Sequence, residues 1–165
     1  MKQAKKIITR MLLNNWGGIS HRMMEFHEYV NLFSGKSGSG KSTVMDAIQV
    51  VLYGSMSASF LNKAADDAKN RRSVMSYLRG EQKDGTANRG GQDFGSTLVL
   101  EIKDTGSGIT TCFGVLFEIG RADTDINGKY TFFSHSGSMP EDEYLEEGGI
   151  PYSRGRMKKL CEARK

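Results

Sequence analysis

The sequence predicts an α/β fold in which a helix packs on a sheet, with an antiparallel meander beside it. Three observations carry that expectation. Residues 42–53 set Val44, Ala47, Ile48, Val51 and Leu52 at helical spacing, with Gly54 as the stop. In residues 97–102, Leu98, Leu100 and Ile102 alternate with Thr97, Val99 and Glu101, and residues 109–119 alternate in the same way. Finally, a glycine-rich loop joins an apolar extended run, residues 29–33, to the helix.

Along the chain, residues 7–13 and 21–26 read as extended, broken apart by Gly17-Gly18. Tyr29-Val30-Asn31-Leu32-Phe33 is expected as a buried strand around which the sheet is built. After the strong helix, residues 62–79 look helical but polar, anchored by Tyr77 and Leu78. Residues 80–95 (GEQKDGTANRGGQDFG) are by composition a flexible, solvated insertion. The two alternating strands follow, joined across residues 104–108, and a third, residues 129–134, begins after Asn127-Gly128, a dipeptide favoured in tight hairpins. Together these make the meander. Residues 1–150 are expected as one lobe and 151–165 as a basic tail that starts a helix. That tail follows an acidic patch (Glu141, Asp142, Glu143, Glu146, Glu147) and sets Arg154, Arg156, Lys158, Lys159, Arg164 and Lys165 against Glu162 alone. A solvated charged face is the plain account of it, and a nucleic-acid contact the alternative.

The 165 residues are about one domain by length, and 38% apolar with 20 glycines and 25% charged excludes collagen, a coiled coil throughout, or wholesale disorder. The net charge of +4 is too mild to establish a nucleic-acid partner by itself. No apolar run is long enough to span a membrane, and no secretory leader is evident, so a cytoplasmic protein is expected. Cys112 and Cys161 make neither a disulfide framework nor a metal-ligand spacing with His21, His27 and His135.

The chemistry sits at Gly35-Lys36-Ser37-Gly38-Ser39-Gly40-Lys41-Ser42-Thr43, whose first eight residues complete the pattern G-x-x-x-x-G-K-[ST]. Glycines let the backbone turn tightly and bring successive N–H groups onto phosphate oxygens, while the helix N-terminus adds its partial positive charge. Lys41 is expected to reach the β- and γ-phosphates, Ser42 to offer its hydroxyl to Mg²⁺, and Thr43 to bond the α-phosphate. ATP and Mg²⁺ are the cofactors this implies. A second pattern, Asp123-Thr124-Asp125-Ile126-Asn127-Gly128, copies the start of a calcium loop, but Ser134 stands where the closing bidentate Glu belongs. A hairpin turn is the better reading.

The run NLFSGKSGSGKSTVMDAIQVVLYG, residues 31–54, resembles the nucleotide-binding start of the structural-maintenance-of-chromosomes (SMC) ATPases and their SbcC-type and MukB-type relatives. Asp46-Ala47-Ile48 and Leu52-Tyr53-Gly54 match the family's D-A-I and L-x-G, and Asn15-Trp16 its N-[FW] element. Residues 60–65 (FLNKAA) and 72–80 (RSVMSYLRG) are similar, more narrowly, to JetC, the SMC-like component of Wadjet plasmid-defence systems.

The resemblance implies a P-loop NTPase fold of the ABC/SMC head type, of which this sequence carries the N-terminal half. In the family the C-terminal half brings the signature motif, the Walker B carboxylates and a switch histidine, after a coiled coil that members enter about where Met157-Lys158-Lys159-Leu160 stands. No L-S-G-G and no apolar run ending in Asp-Glu occurs here, and Gln3, Gln49, Gln82 and Gln92 all lie away from the position expected for the Q-loop glutamine. The implied partners are the missing C-terminal half, an SMC-like homodimer with accessory subunits, and DNA, with no membrane. ATP hydrolysis is expected only in the completed head. An exposed sheet edge and apolar face are expected where the family's other half would pack. Arg71, Arg72 and Arg79 are candidate γ-phosphate or DNA contacts, since family heads carry basic residues after this helix; exposed arginines on a polar helix are the alternative. A stand-alone P-loop NTPase or kinase, or an inactive truncated fragment, stays open.

Overall fold

The computed structural model describes residues 3–61 and 72–165. Five strands form one antiparallel sheet: β1 (Lys6–Trp16), β2 (Ile19–Glu25), β3 (Phe94–Asp104), β4 (Thr110–Ile119) and β5 (Tyr130–Ser136), in the order β2-β1-β3-β4-β5. The meander β3-β4-β5 is the one the alternation predicts, with Leu98 opposite Val115 and Val115 opposite Phe132. β1 enters beside β3, pairing Leu13 with Leu98, and turns back through Gly17-Gly18 into β2.

Two cores lie on the two faces. On one, α1 (Lys41–Tyr53) and α2 (Val74–Arg79) bury Val44, Ala47, Val50, Val74, Tyr77 and Leu78 against Met11, Leu13, Trp16, Leu98, Leu100 and Phe117. On the other, α3 (Arg154–Ala163) and the loop around a short hairpin, β6 (Leu145–Glu146) with β7 (Ile150–Pro151), cover Leu12, Val99, Cys112 and Leu116 with Met139, Tyr144, Tyr152, Met157 and Leu160. β1, β3 and β4 are therefore buried on both sides, which is why Val99 and Glu101 are as inaccessible as the leucines they alternate with. Glu101 is held there by Arg10 at 2.6 Å, the Thr9 hydroxyl at 2.8 Å and the Met139 N–H at 3.0 Å.

Local chemistry sets the boundaries. Gly54, at φ 60°, caps α1 by donating its N–H to the Val50 carbonyl at 3.1 Å. Ser73 and Ser153 cap α2 and α3 through their hydroxyls, which accept from Ser76 N–H at 3.1 Å and Arg156 N–H at 3.2 Å. Asp123 closes the turn before β5, accepting from Gly120 N–H at 2.6 Å and pairing with Lys129 at 3.2 Å.

The expected strand at residues 29–33 does not form. After Glu25 the chain leaves the sheet, and Asn31 ties back to His27, accepting from its N–H at 2.6 Å and donating to its carbonyl at 2.8 Å. An extended segment needs a neighbouring edge for its N–H and C=O groups, and residues 29–33 pair with none of the five strands. Tyr29, Val30 and Leu32 stand exposed, Leu32 at 87%. The sheet is thus built around β1 and β3.

Of the polar helix expected over 62–79, residues 74–79 form α2, and 62–71 lie outside the described residues. Residues 80–95, read as a flexible insertion, instead wrap a buried arginine. Arg89 donates to the carbonyls of Leu78 and Gly17, each at 2.6 Å, and of Tyr77 at 3.2 Å. Residues 151–165 include α3, whose Met157 and Leu160 are buried on the sheet. No helix among the described residues is long and apolar enough to cross a membrane.

Candidate functional site

Between residues 34 and 41 the backbone has no regular partner, and its path is set by glycine. Gly38 (φ 84°) and Gly40 (φ 93°) adopt the left-handed conformation that costs other residues energy. Gly35 is needed for space, because a Cβ there would sit 2.4 Å from the Ser39 hydroxyl. Gly40 is also the N-cap of α1, and no side chain caps the helix. The first-turn N–H groups are therefore left for an anion. Lys41 folds across the loop: its ammonium donates to the carbonyl of Gly35, to that of Lys36 at 3.0 Å and to Ser39 Oγ at 3.2 Å. Three donors meet three weak neutral acceptors, for which phosphate oxygens are stronger replacements.

The loop is braced from β1 and α2. The indole N–H of Trp16 donates to the Thr43 carbonyl at 2.9 Å, in the first turn of α1. Trp16 stacks on Tyr77 with ring centroids 4.7 Å apart, and the Tyr77 hydroxyl donates to the buried Asp46 carboxylate. Gly17 lets the β1–β2 turn press against the helix start, since a Cβ there would lie 2.7 Å from the Thr43 methyl. Strand and turn thus meet α1 at Thr43, and α2 meets it at Asp46.

Above the loop opens a cavity of about 630 Å³. Ser37, Gly38, Ser39, Gly40, Lys41, Ser42 and Thr43 all line it, and the other two residues of the motif, Gly35 and Lys36, supply the carbonyls that hold Lys41. The rest of the lining includes Arg72, a candidate from the sequence, and residues the sequence does not mark as a site: Arg22 from β2, Tyr77 from α2, and Gln82 and Lys83 from the 80–95 segment. Arg72 lies over the Tyr77 ring at 5.5 Å.

Of the two candidate arginines among the described residues, Arg72 lines the cavity and Arg79 does not. Arg71 lies outside the described residues. Arg79 is buried and fully used by the fold, donating to the carbonyls of Arg89, Gln92, Gly120, Arg121 and Asp123 between 2.7 and 3.3 Å. It ties α2 to the loops at the ends of β3 and β4, and neither a nucleotide nor DNA can reach it without breaking that knot. Burial pushes the Arg89 guanidinium down to about 10, so it stays charged at neutral pH and its hydrogen bonds are ionic ones.

Mg²⁺ is a hard cation that takes oxygen ligands and keeps several waters beside phosphate oxygens. Ser42, exposed in the first turn of α1 on the cavity, offers one such oxygen. The donor chemistry fits the ion, with phosphate and water filling the remaining positions.

Residues 8–68 match the family model described as the P-loop containing region of AAA domain. The chain is also 37% identical over 74 residues to the SbcC component of the nuclease SbcCD from Staphylococcus haemolyticus (strain JCSC1435), a stretch covering 42% of this chain. The match spans 6% of that relative's length. The family match takes in the whole glycine-rich loop, residues 35–43.

Proposed function

We propose that the chain binds Mg-ATP at residues 35–43 as the N-terminal half of an SMC-like head ATPase of the SbcC type. The single observation that carries this reading is the loop itself: left-handed glycines and an uncapped helix start surround a lysine that lies over the cavity. Lys41 orients and neutralises the β- and γ-phosphates, backbone N–H groups of residues 38–42 hold their oxygens, Thr43 bonds the α-phosphate, and Ser42 holds Mg²⁺. When bound, Mg²⁺ neutralises charge that builds up on the phosphates during transfer.

Hydrolysis on this reading requires a second half bearing the signature and Walker B motifs, because a water-positioning carboxylate is worth several powers of ten in rate. The exposed apolar run 29–33 supports a head completed by other strands, since it has the composition of a buried strand without the neighbours. The completed protein is a cytoplasmic SMC-like dimer with accessory subunits that works on DNA, in condensation, repair or plasmid defence, and the resemblance at 72–80 favours the Wadjet group. Calorimetry with ATP tests the core of the proposal. Wild type binds and Lys41→Ala loses at least tenfold in affinity, as expected for loss of a charge-assisted contact to phosphate; equal affinity for the two proteins rejects the assignment.

A further inference from the structure

We propose that the hairpin at residues 81–87 contributes Gln82 and Lys83 to the wall of the nucleotide site and that Lys83 binds the polyphosphate of a nucleoside triphosphate there. The inference rests on the nucleotide reading of residues 35–43 and extends it to a segment whose composition suggests only a solvated loop. Its first support is rigidity. Glu81 bridges Ala87, Gln82 N–H donates to the Thr86 carbonyl at 2.8 Å, and Gly85 N–H donates to the Gln82 carbonyl at 3.1 Å, which makes a tight hairpin. Asp84 turns inward to accept from the Thr86 N–H at 2.9 Å and hydroxyl at 2.6 Å. The Gln82 amide braces the base of the hairpin, donating to the Gly80 carbonyl at 3.1 Å.

The second support is where the hairpin is anchored. Gly80, at φ 65°, packs so closely on the β1–β2 turn that a Cβ would lie 2.7 Å from the Gly17 carbonyl oxygen. Arg89 donates to that same carbonyl from the other side of the hairpin. Gly17 in turn packs against Thr43 in the loop's helix. The hairpin is therefore fixed to the same turn that fixes the P-loop, and Lys83 is presented to the cavity by a preorganised element rather than a mobile one.

Charge supplies the third support. Arg22, Arg72 and Lys83 line the same cavity as Lys41, and among the described residues none of the three has a carboxylate within ion-pair distance. Like charges gathered around one cavity without carboxylate partners repel, and a ligand carrying about four negative charges turns that repulsion to attraction. A base or a sugar gives no such compensation, so the occupant of this wall is the phosphate chain.

The test is calorimetric titration of ATP, ADP and AMP into wild type, Lys83→Glu, Lys83→Arg and, as reference points, Lys41→Ala and the remote surface reversal Lys103→Glu. Lys83→Glu is expected to weaken ATP by about tenfold and ADP by less, to leave AMP within about twofold, and to lose part of its effect at high salt, while Lys83→Arg keeps wild-type affinity. An ATP affinity for Lys83→Glu within twofold of wild type overturns the inference, as does an equal loss in Lys103→Glu, which would trace the effect to net charge. If wild type binds and Lys41→Ala does not while Lys83→Glu is silent, this inference falls and the P-loop reading stands. If wild type binds no ATP, both fall.

Discussion

Replacing Trp16 by Phe probes the link between the sheet and the phosphate loop. Trp16 is fully buried, stacks on Tyr77, lies 6.4 Å from the Phe117 ring centroid, and donates its indole N–H to the Thr43 carbonyl. Phe keeps an aromatic ring but loses that donor and one fused ring. The lost hydrogen bond costs about 1 kcal/mol, because the Thr43 carbonyl keeps its place in the helix ladder and is not orphaned. The lost ring removes roughly 40 Å² of buried apolar surface, about 1 kcal/mol, and the void left between Tyr77 and Phe117 adds about 1 kcal/mol more. A total near 3 kcal/mol lowers the melting temperature of a chain this size by roughly 6–12 °C. Circular dichroism melts of the two proteins measure it. The same substitution frees the first turn of α1, so ATP affinity falls several-fold even at temperatures where the variant is folded. A variant that melts within a degree of wild type and binds ATP equally would show that Trp16 does not hold the loop.

Two further outcomes follow from the site and the core. The 165-residue chain alone releases phosphate from ATP no faster than its Lys41→Ala control, and adding the C-terminal half of a related head in trans raises the rate by orders of magnitude; robust Lys41-dependent turnover by the chain alone would favour a self-contained P-loop enzyme. Acid destabilises the fold in two stages. Burial holds His135 below its ordinary value of 6.5, so below that pH the unfolded chain binds a proton the folded one refuses, and stability falls by up to about 1.4 kcal/mol per pH unit until the folded pKa is reached. Burial pushes Glu101 up, but Arg10, Met139 N–H and Thr9 outweigh it and keep its carboxyl below 4.5; its contribution is complete above that pH and disappears as pH falls through the folded value. Denaturant titrations at several pH values check both, and a profile unchanged by His135→Asn between pH 5 and 6.5 would remove the first stage.

How much of this is legible in the sequence depends on whether a signal is local. The phosphate loop is, because its requirements are met by neighbouring residues: glycines where the backbone must turn left, a lysine and a serine at the helix start. The meander is also local, since each strand pairs with the next, although β3 extends beyond residues 97–102 to Phe94 and Asp104 and β5 runs on to Ser136. The buried arginines are not. Arg79 and Arg89 look like any exposed cations on a polar segment, and only the carbonyls arriving from residues as far apart as Gly17 and Asp123 give them partners. The one local hint is the unusual density of glycine around Arg89, including Gly80 and Gly90, which allows backbone to approach a buried guanidinium closely.

The segment before the loop shows what a local signal leaves unsaid. Tyr29, Val30, Leu32 and Phe33 have strand composition, yet β-structure is a property of pairs, and the neighbouring edge has to come from somewhere. Residues 29–33 pair with neither edge of the sheet, β2 or β5, and the run stays out in solvent. Burying Val30 and Leu32 alone would contribute about 3–6 kcal/mol, which is of the same order as the whole stability of a typical domain. On the half-head reading, that much unused burial, directly upstream of the phosphate loop, is a driving force for docking the strands of the other half. It also sets a route for coupling: strands that pair with residues 29–33 fix the entry to Gly35, as Trp16 fixes the exit at Thr43. On the half-head reading, the two ends of the phosphate loop are thus held by different halves of the head, and closing the head and ordering the nucleotide site become one event.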